Sequence, residues 1–284
     1  MTERLSDISA RIDGIRQLGA VVKAMKGIAA ARARVARTEV TAVDSYAMTI
    51  ATAMARALGP DAATTVAQDA PEPATAKPGL LVFCAEQGFA GAFSERVLDS
   101  IAHRPDTGAL FLIGTRGLAV AAARGIVPDW SAALPSHSPG IPKLADRITR
   151  AIFERLGRDQ IDRLDVVFTG LHAGRPTILR QSLFPLDMSH FPAARGERPL
   201  MQIPVGGLID ALGRDYVHAQ VCKAALHAFA AENEARMEAM SSAGSQIDRE
   251  LETFQATLRR VRQEAITAEI IELGTGAAAK RDPG

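Results

Sequence analysis

What most limits the folding of this chain is an apolar rhythm at both of its ends. Between Leu5 and Leu58 an apolar or small residue recurs about every 3.5 residues: Leu5, Ile8, Ile12, Ile15, Gly19, Val22, Lys26, Ala29, Ala33, Ala36, Val40, Val43, Ala47, Ile50, Met54 and Ala57. Only Gly19 and Lys26 interrupt the apolar character. A strand would alternate every second residue; this period belongs to the seam of a supercoiled helix. No proline intervenes before Gly59-Pro60, which ends the pattern. The predicted helix is roughly 80 Å long at the usual rise. A second seam lies between about Leu208 and Leu273: Leu226, Phe229, Asn233, Met237, Met240, Gly244, Ile247, Leu251, Phe254, Leu258, Val261 and Ala265. It predicts a helix of roughly 100 Å, with the Gly/Ala-rich tail Gly274 to Gly284 expected to fray. Two such seams bury each other if the chain doubles back into an antiparallel pair. Ala29, Ala33, Ala36 and Gly244 would let the backbones approach, giving a rod with a globular foot beside the end where the first helix stops.

The middle of the chain changes period. After an Ala/Thr/Pro-rich linker, Asp61 to Pro78, short apolar runs read as strands at Leu80 to Cys84, Leu110 to Ile113, Val166 to Thr169 and Thr177 to Leu183. Helix-like stretches lie near Ser94 to Ala102, Leu118 to Arg124 and Lys143 to Leu156. Strands alternating with helices imply crossovers and a mostly parallel sheet. Phe184 to Pro204 holds four prolines and reads as irregular. The expected fold is α/β: a long antiparallel coiled coil of N- and C-terminal helices with a central Rossmann-like α/β domain. Its parts are 1–58, a linker 59–78, the α/β domain 79–205, and a C-terminal helix with its tail, 206–284.

Composition narrows the function classes. Aromatic residues make up only 5% of the chain, and alanine takes their place, which favours long helices in close contact. A net charge of +1 gives no global field toward nucleic acid or membrane. Cys84 and Cys222 are far apart, without metal spacing, which fits a reducing compartment. The first residues lack the apolar run of a signal peptide, and no stretch is apolar enough to span a bilayer, so no direct bilayer insertion is expected.

The candidate sites are few. No Gly-x-x-x-x-Gly-Lys phosphate loop occurs, so no ATP hydrolysis by this chain is expected. Gly114-Thr115-Arg116-Gly117 follows a strand and opens a helix. That could seat a phosphate, or simply make a tight turn; the glycines do not match the dinucleotide fingerprint. The six histidines are scattered without metal-ligand spacing, so no catalytic, cofactor or metal residues are expected. Between Gly14 and Thr38 lie Arg16, Lys23, Lys26, Arg32, Arg34 and Arg37, and no acid. A solvated helix face is one reading of this run; because such a face would usually mix signs, an acidic partner is the other. Nucleic acid is an alternative, giving a coiled-coil adaptor, but no aromatic residue interleaves the basic ones. A nucleotide-binding enzyme in the α/β domain is a further class, open to direct ligand titration.

Two blocks resemble the gamma subunit of F-type rotary ATP synthases. Lys23-Ala24-Met25-Lys26-Gly27-Ile28-Ala29-Ala30 is similar to that family's Lys-Ala-Met-x-x-Val-Ala-Ala. Near the other end stand Glu232-Asn233-Glu234-Ala235-Arg236-Met237, then Arg262-Gln263-Glu264-Ala265-Ile266-Thr267-Ala268-Glu269-Ile270 and Gly276-Ala277-Ala278. The middle departs: Glu86-Gln87-Gly88-Phe89-Ala90-Gly91-Ala92-Phe93-Ser94 stands for the family's Asp-Arg-Gly-Leu-Cys-Gly-Gly-x-Asn, Gln202-Ile203-Pro204 lacks its acid, and Gly27 replaces a larger residue. This suggests a divergent branch, the alternate, sodium-motive type being one form of it. The resemblance implies a non-catalytic rotor shaft inside a three-fold ring of alpha and beta subunits, turning to cycle the catalytic sites. It implies that Lys23, Met25, Lys26 and Arg32 face acidic loops and the lever of beta subunits. It also implies that Arg262, Gln263 and Thr267 hydrogen-bond to the alpha/beta ring. Plain packing of Met25 and a solvated helix end at Arg262 to Thr267 are the simpler alternatives. The foot would bind the epsilon subunit and the membrane rotor c-ring, placing the chain on the cytoplasmic face of a bacterial inner membrane.

Overall fold

The computed structural model describes residues 2–59, 77–102, 108–172, 175–188, 191–193 and 199–279. The linker read at Asp61 to Pro78 lies almost wholly outside the described residues. The elements in chain order are α1 (Thr2–Leu58), β1 (Pro78–Phe83), α2 (Phe93–Asp99), β2 (Ala109–Ile113), α3 (Thr115–Ala123), β3 (Trp130–Ala132), α4 (Ile141–Gly157), β4 (Arg163–His172), β5 (Arg175–Phe184) and α5 (Val205–Ala279). The helix expected to end near Leu273 runs on to Ala279, so the predicted fraying at Gly274 is corrected up to that residue. Glycine lowers helix propensity by only about 1 kcal/mol, too little to stop so long a helix. The chain divides into two compact units, Met1–Ile28 with Met237–Gly284, and Ala29–Arg236.

The first unit is a pair of antiparallel helical segments. A Cβ added at Gly19 would lie 3.3 Å from Ile247, one at Gly244 would lie 4.0 Å from Val22, and the Arg11 guanidinium sits 5.0 Å from the Phe254 ring centre. Ascending residues on α1 thus meet descending ones on α5. The predicted seam is the buried line on both: from Leu5 to Val22, and from Met237 to Ala265, every seam position is buried or half-buried. Lys26 is the departure. It is exposed, and its Nζ donates to Ser241 Oγ at 3.0 Å.

In the second unit, five strands form one sheet in the order β3-β2-β1-β4-β5. The first four are parallel, and β5 closes one edge antiparallel to β4. Side chains alternate between two cores. Leu81, Phe83, Phe111 and Phe168 face a core shared with α4, Ala36 of α1 and residues 217–230 of α5. Leu80, Val82, Leu110 and Leu112 face a core shared with α2 and α3. Such near-continuous apolar strands are what a sheet covered on both faces requires. The strands and helices read from sequence are present, each displaced at its ends by a few residues. Only β3 was missed: it has three residues, none buried, and is marked by Trp130, whose ring lies 6.2 Å from that of Phe111.

Candidate partner-binding surface

On the α1 segment of the first unit the seam separates two unlike flanks. Arg16 and Lys23, one heptad apart, lie on one side and are exposed. They line a groove of about 520 Å³ with Lys26, Ser241, Ser245 and Asp248. Small residues open it, since Gly19 and Gly244 stand where bulkier side chains would fill the seam. Arg16 pairs with Asp13 at 3.1 Å in full view of solvent, a contact worth under about 1 kcal/mol. The opposite flank carries Leu18 and Met25, again one heptad apart, with Val21 and Ile28 behind them. Leu18, Val21 and Ile28 are each more than half exposed, and Met25 is half-buried. The basic flank was legible as a charge run. The apolar flank was not singled out, although valine and isoleucine at outward helical positions were its signal.

The remaining predicted residues are distributed elsewhere. Arg32 is half-buried in the second unit, where Arg37 pairs with Glu234 and Lys223 with Asp44 at 2.6 Å. Arg262, Gln263 and Thr267 are exposed on α5, and Thr267 Oγ1 donates to the Gln263 carbonyl at 2.8 Å. Lys26 meets Ser241, and Arg262 lies 21 residues farther along α5, roughly 30 Å at the helical rise. The structure therefore does not bring the two sets together. Beside Thr267 stand Ile266, Ile270, Ile271 and Leu273, all well exposed, another apolar surface that the sequence reading passed over.

The turn at Gly114 to Gly117 is explained by packing. Gly114 has φ +108, and a Cβ there would lie 2.6 Å from the Cys84 carbonyl oxygen; one at Gly117 would lie 2.0 Å from Cys84 Cβ. The amide of Thr115 and its Oγ1 donate to the Glu86 carboxylate at 2.9 and 2.7 Å. The protein's own acid thus takes the place a phosphate would need. Among the described residues no three His, Cys, Asp or Glu side chains are grouped to hold a metal. Cys84 and Cys222 are both buried, which pushes each thiol up to about 12. Neither is poised as a nucleophile.

Likeness to known proteins agrees with this architecture. The ATP synthase family profile matches residues 4–279. The ATP synthase gamma chain of Chlorobium luteolum is 29% identical over 97% of this chain and 98% of its own length. That of Heliobacterium modesticaldum is 27% identical over 97% and 98%. The Euglena gracilis mitochondrial ATP synthase rotor structure covers 94% of this chain and all of its own, with a TM-score of 0.65 at 14% identity. The Tetrahymena thermophila mitochondrial central stalk and c-ring structure gives 0.59 at 17% identity, over 78% of this chain and 99% of its own. At those identities the two structures speak for the fold alone. With a family match across nearly the whole length and helical seams that the fold bears out, the chain belongs to the ATP synthase gamma chain family, the non-catalytic central rotor stalk of F-type ATP synthases.

Proposed function

We propose that one copy of this chain stands within a ring of alpha and beta subunits, and that its unlike flanks set the state of each catalytic site in turn. The observation that carries this reading is the contrast on the first unit: Arg16 and Lys23 on one side of the seam, Leu18, Val21 and Ile28 on the other. A symmetric ring around such a helix pair meets a charged face at one site and an apolar face at another. Lys23, Met25, Lys26 and Arg32 would meet acidic and lever elements of beta. Arg262, Gln263 and Thr267, with the isoleucines beside them, would meet the ring farther along. The epsilon subunit and c-ring are the partners proposed for the second unit; the Tetrahymena structure is of a central stalk with a c-ring. Among the described residues no helix is long and apolar enough to cross a membrane, and the chain is proposed to sit at the cytoplasmic face of a bacterial inner membrane through those partners. Assignment to an alternate, sodium-motive branch rests on the altered residues 86–94, on Gln202-Ile203-Pro204 and on Gly27, and gains nothing from the relatives above. Pumping with and without sodium tests it.

Native mass spectrometry of the tagged chain from its own membranes is expected to show a single copy with alpha and beta subunits. A stable homodimer alone would defeat the reading. Reversing Lys23 and Lys26 together to Glu is expected to lower ion pumping per ATP at low salt, with a smaller effect at high salt because exposed charges are screened. Wild-type pumping by this variant at low salt would reduce the basic flank to a solvated face.

A further inference from the structure

A buried polar cluster in the second unit lies where α5 meets the end of β1. Glu232 is 2% exposed and Arg236 5%, one helical turn apart and ion-paired. The Glu232 carboxylate accepts from the amides of Glu86 and Gln87 at 3.0 and 3.1 Å. The Arg236 guanidinium donates to the Gly88 carbonyl at 3.2 Å and to Asn233 Oδ1 at 3.0 Å. Both ends of a buried pair thus grip the loop that leaves β1. The loop is gripped from below as well, since the Glu86 side chain accepts from Thr115 and from the Leu134 amide at 2.8 Å.

The place matters. In an open α/β sheet the crevice beyond the carboxyl ends of the strands, where the strand order reverses, is where anionic ligands sit. Here the order reverses at β1, with β2 on one side and β4 on the other. At that point α5 passes from one face of the sheet to the other: Phe229 and Ala230 join the core with Phe83, while Ala231 and Ala235 join the one with Val82. The two groups of amides that would hold phosphate oxygens are each filled by a carboxylate of the chain itself, Glu232 on the β1 loop and Glu86 at the start of α3.

We propose that the crevice serves as a mechanical joint: Glu232 binds there as a built-in ligand, and with Arg236 it fixes α5 to the sheet so that turning force passes between helix and domain. The proposal rests on the rotor reading and names the residues that carry its load. Apolar contacts of small alanines resist separation but slide readily. A buried, forked set of charged hydrogen bonds resists sliding, because any displacement leaves charges unpaired away from water. Glu232 and Arg236 are thus positioning residues.

The test uses the whole complex in sealed vesicles with Glu232→Gln, Glu232→Ala or Arg236→Lys. Expected is ATP hydrolysis within about twofold of wild type, with pumping per ATP against an imposed ion gradient reduced by roughly threefold or more. In the isolated chain the Glu86 and Gln87 amides are expected to exchange about tenfold faster, the loss of a hydrogen bond to a charged group. A merely structural role would lower assembly, hydrolysis and pumping together, whereas a joint that transmits turning force separates pumping from hydrolysis. Should Glu232→Ala fail to assemble, Glu232→Gln, which keeps shape and an acceptor oxygen, carries the test. Unchanged pumping per ATP in a variant whose amides exchange faster would overturn the joint. Unchanged exchange would overturn the grip itself. A wild-type chain that joins no ring would defeat the rotor reading instead, and leave the exchange result standing.

Discussion

The two stretches of α5 make an instructive pair. From Val217 to Arg236 nearly every residue is buried or half-buried, including Glu232, Asn233 and Arg236. From Met237 to Leu273 only the seam and its immediate neighbours are covered, and the other faces are open. One continuous helix therefore obeys two rules. Where a single partner helix covers it, burial follows a period near 3.5 and can be read from the spacing alone. Where a sheet and further helices enclose it, the period disappears, and small side chains such as Ala224, Ala225, Ala228 and Ala230 are selected for fit.

The contrast can be broken first at its largest difference. Phe229→Asp, in the enclosed stretch, is expected to cost more than about 4 kcal/mol and to unfold the second unit, because the carboxylate has neither water nor a partner. Val261→Asp, equally buried but in the two-helix layer, is expected to cost roughly half as much, since bending can bring water to it. Thermal melting of both variants decides this. Equal losses would mean that the helix pair is as closed as the sheet core. Phe254→Asp should be milder still, because Phe254 is only half-buried and Arg11 lies over its ring, where it can pair with the new carboxylate.

Glycines sharpen the same comparison. Gly117→Ala is expected to destabilise by about 1–3 kcal/mol or more, because its Cβ would overlap that of Cys84. Gly27→Ala on α1 meets nothing within 4 Å and is expected to stabilise by up to about 1 kcal/mol through helix propensity. Denaturant melts of the two variants should shift in opposite directions. A Gly117→Ala variant that melts like wild type would mean that α3 sits farther from β1 than described.

The smallest expected effect is a pH dependence confined to the enclosed stretch. His227 stacks on Phe168 at 5.6 Å, and burial, then the nearby Lys223, lowers its pKa, with Asp44 acting weakly the other way. A lowered value means that the folded chain prefers the neutral ring. The associated stability is present above the ordinary value near 6.5 and is lost as pH falls toward and through the folded value. His227→Phe is expected to flatten the melting temperature between pH 7 and 5. A variant with the wild-type slope would assign that slope to other groups.

The sequence by itself determined the two long helices, their seams and their antiparallel pairing, because a heptad seam is a local property that each residue reports independently. It also determined the alternation of strands and helices in the middle, the basic run on α1 and, through the blocks at 23–30 and 262–278, the family. It did not yield β3, too short to show a pattern, or the exposed apolar flank at Leu18, Val21 and Ile28, which spacing alone does not separate from core. Nor did it yield the roles of Glu232, Arg236 and Glu86. Those acids and that arginine look like ordinary solvated helix and loop charges until residues about 145 positions apart meet. Only the tertiary structure decides which charges are buried, because burial of a charge depends on what every other segment has already covered.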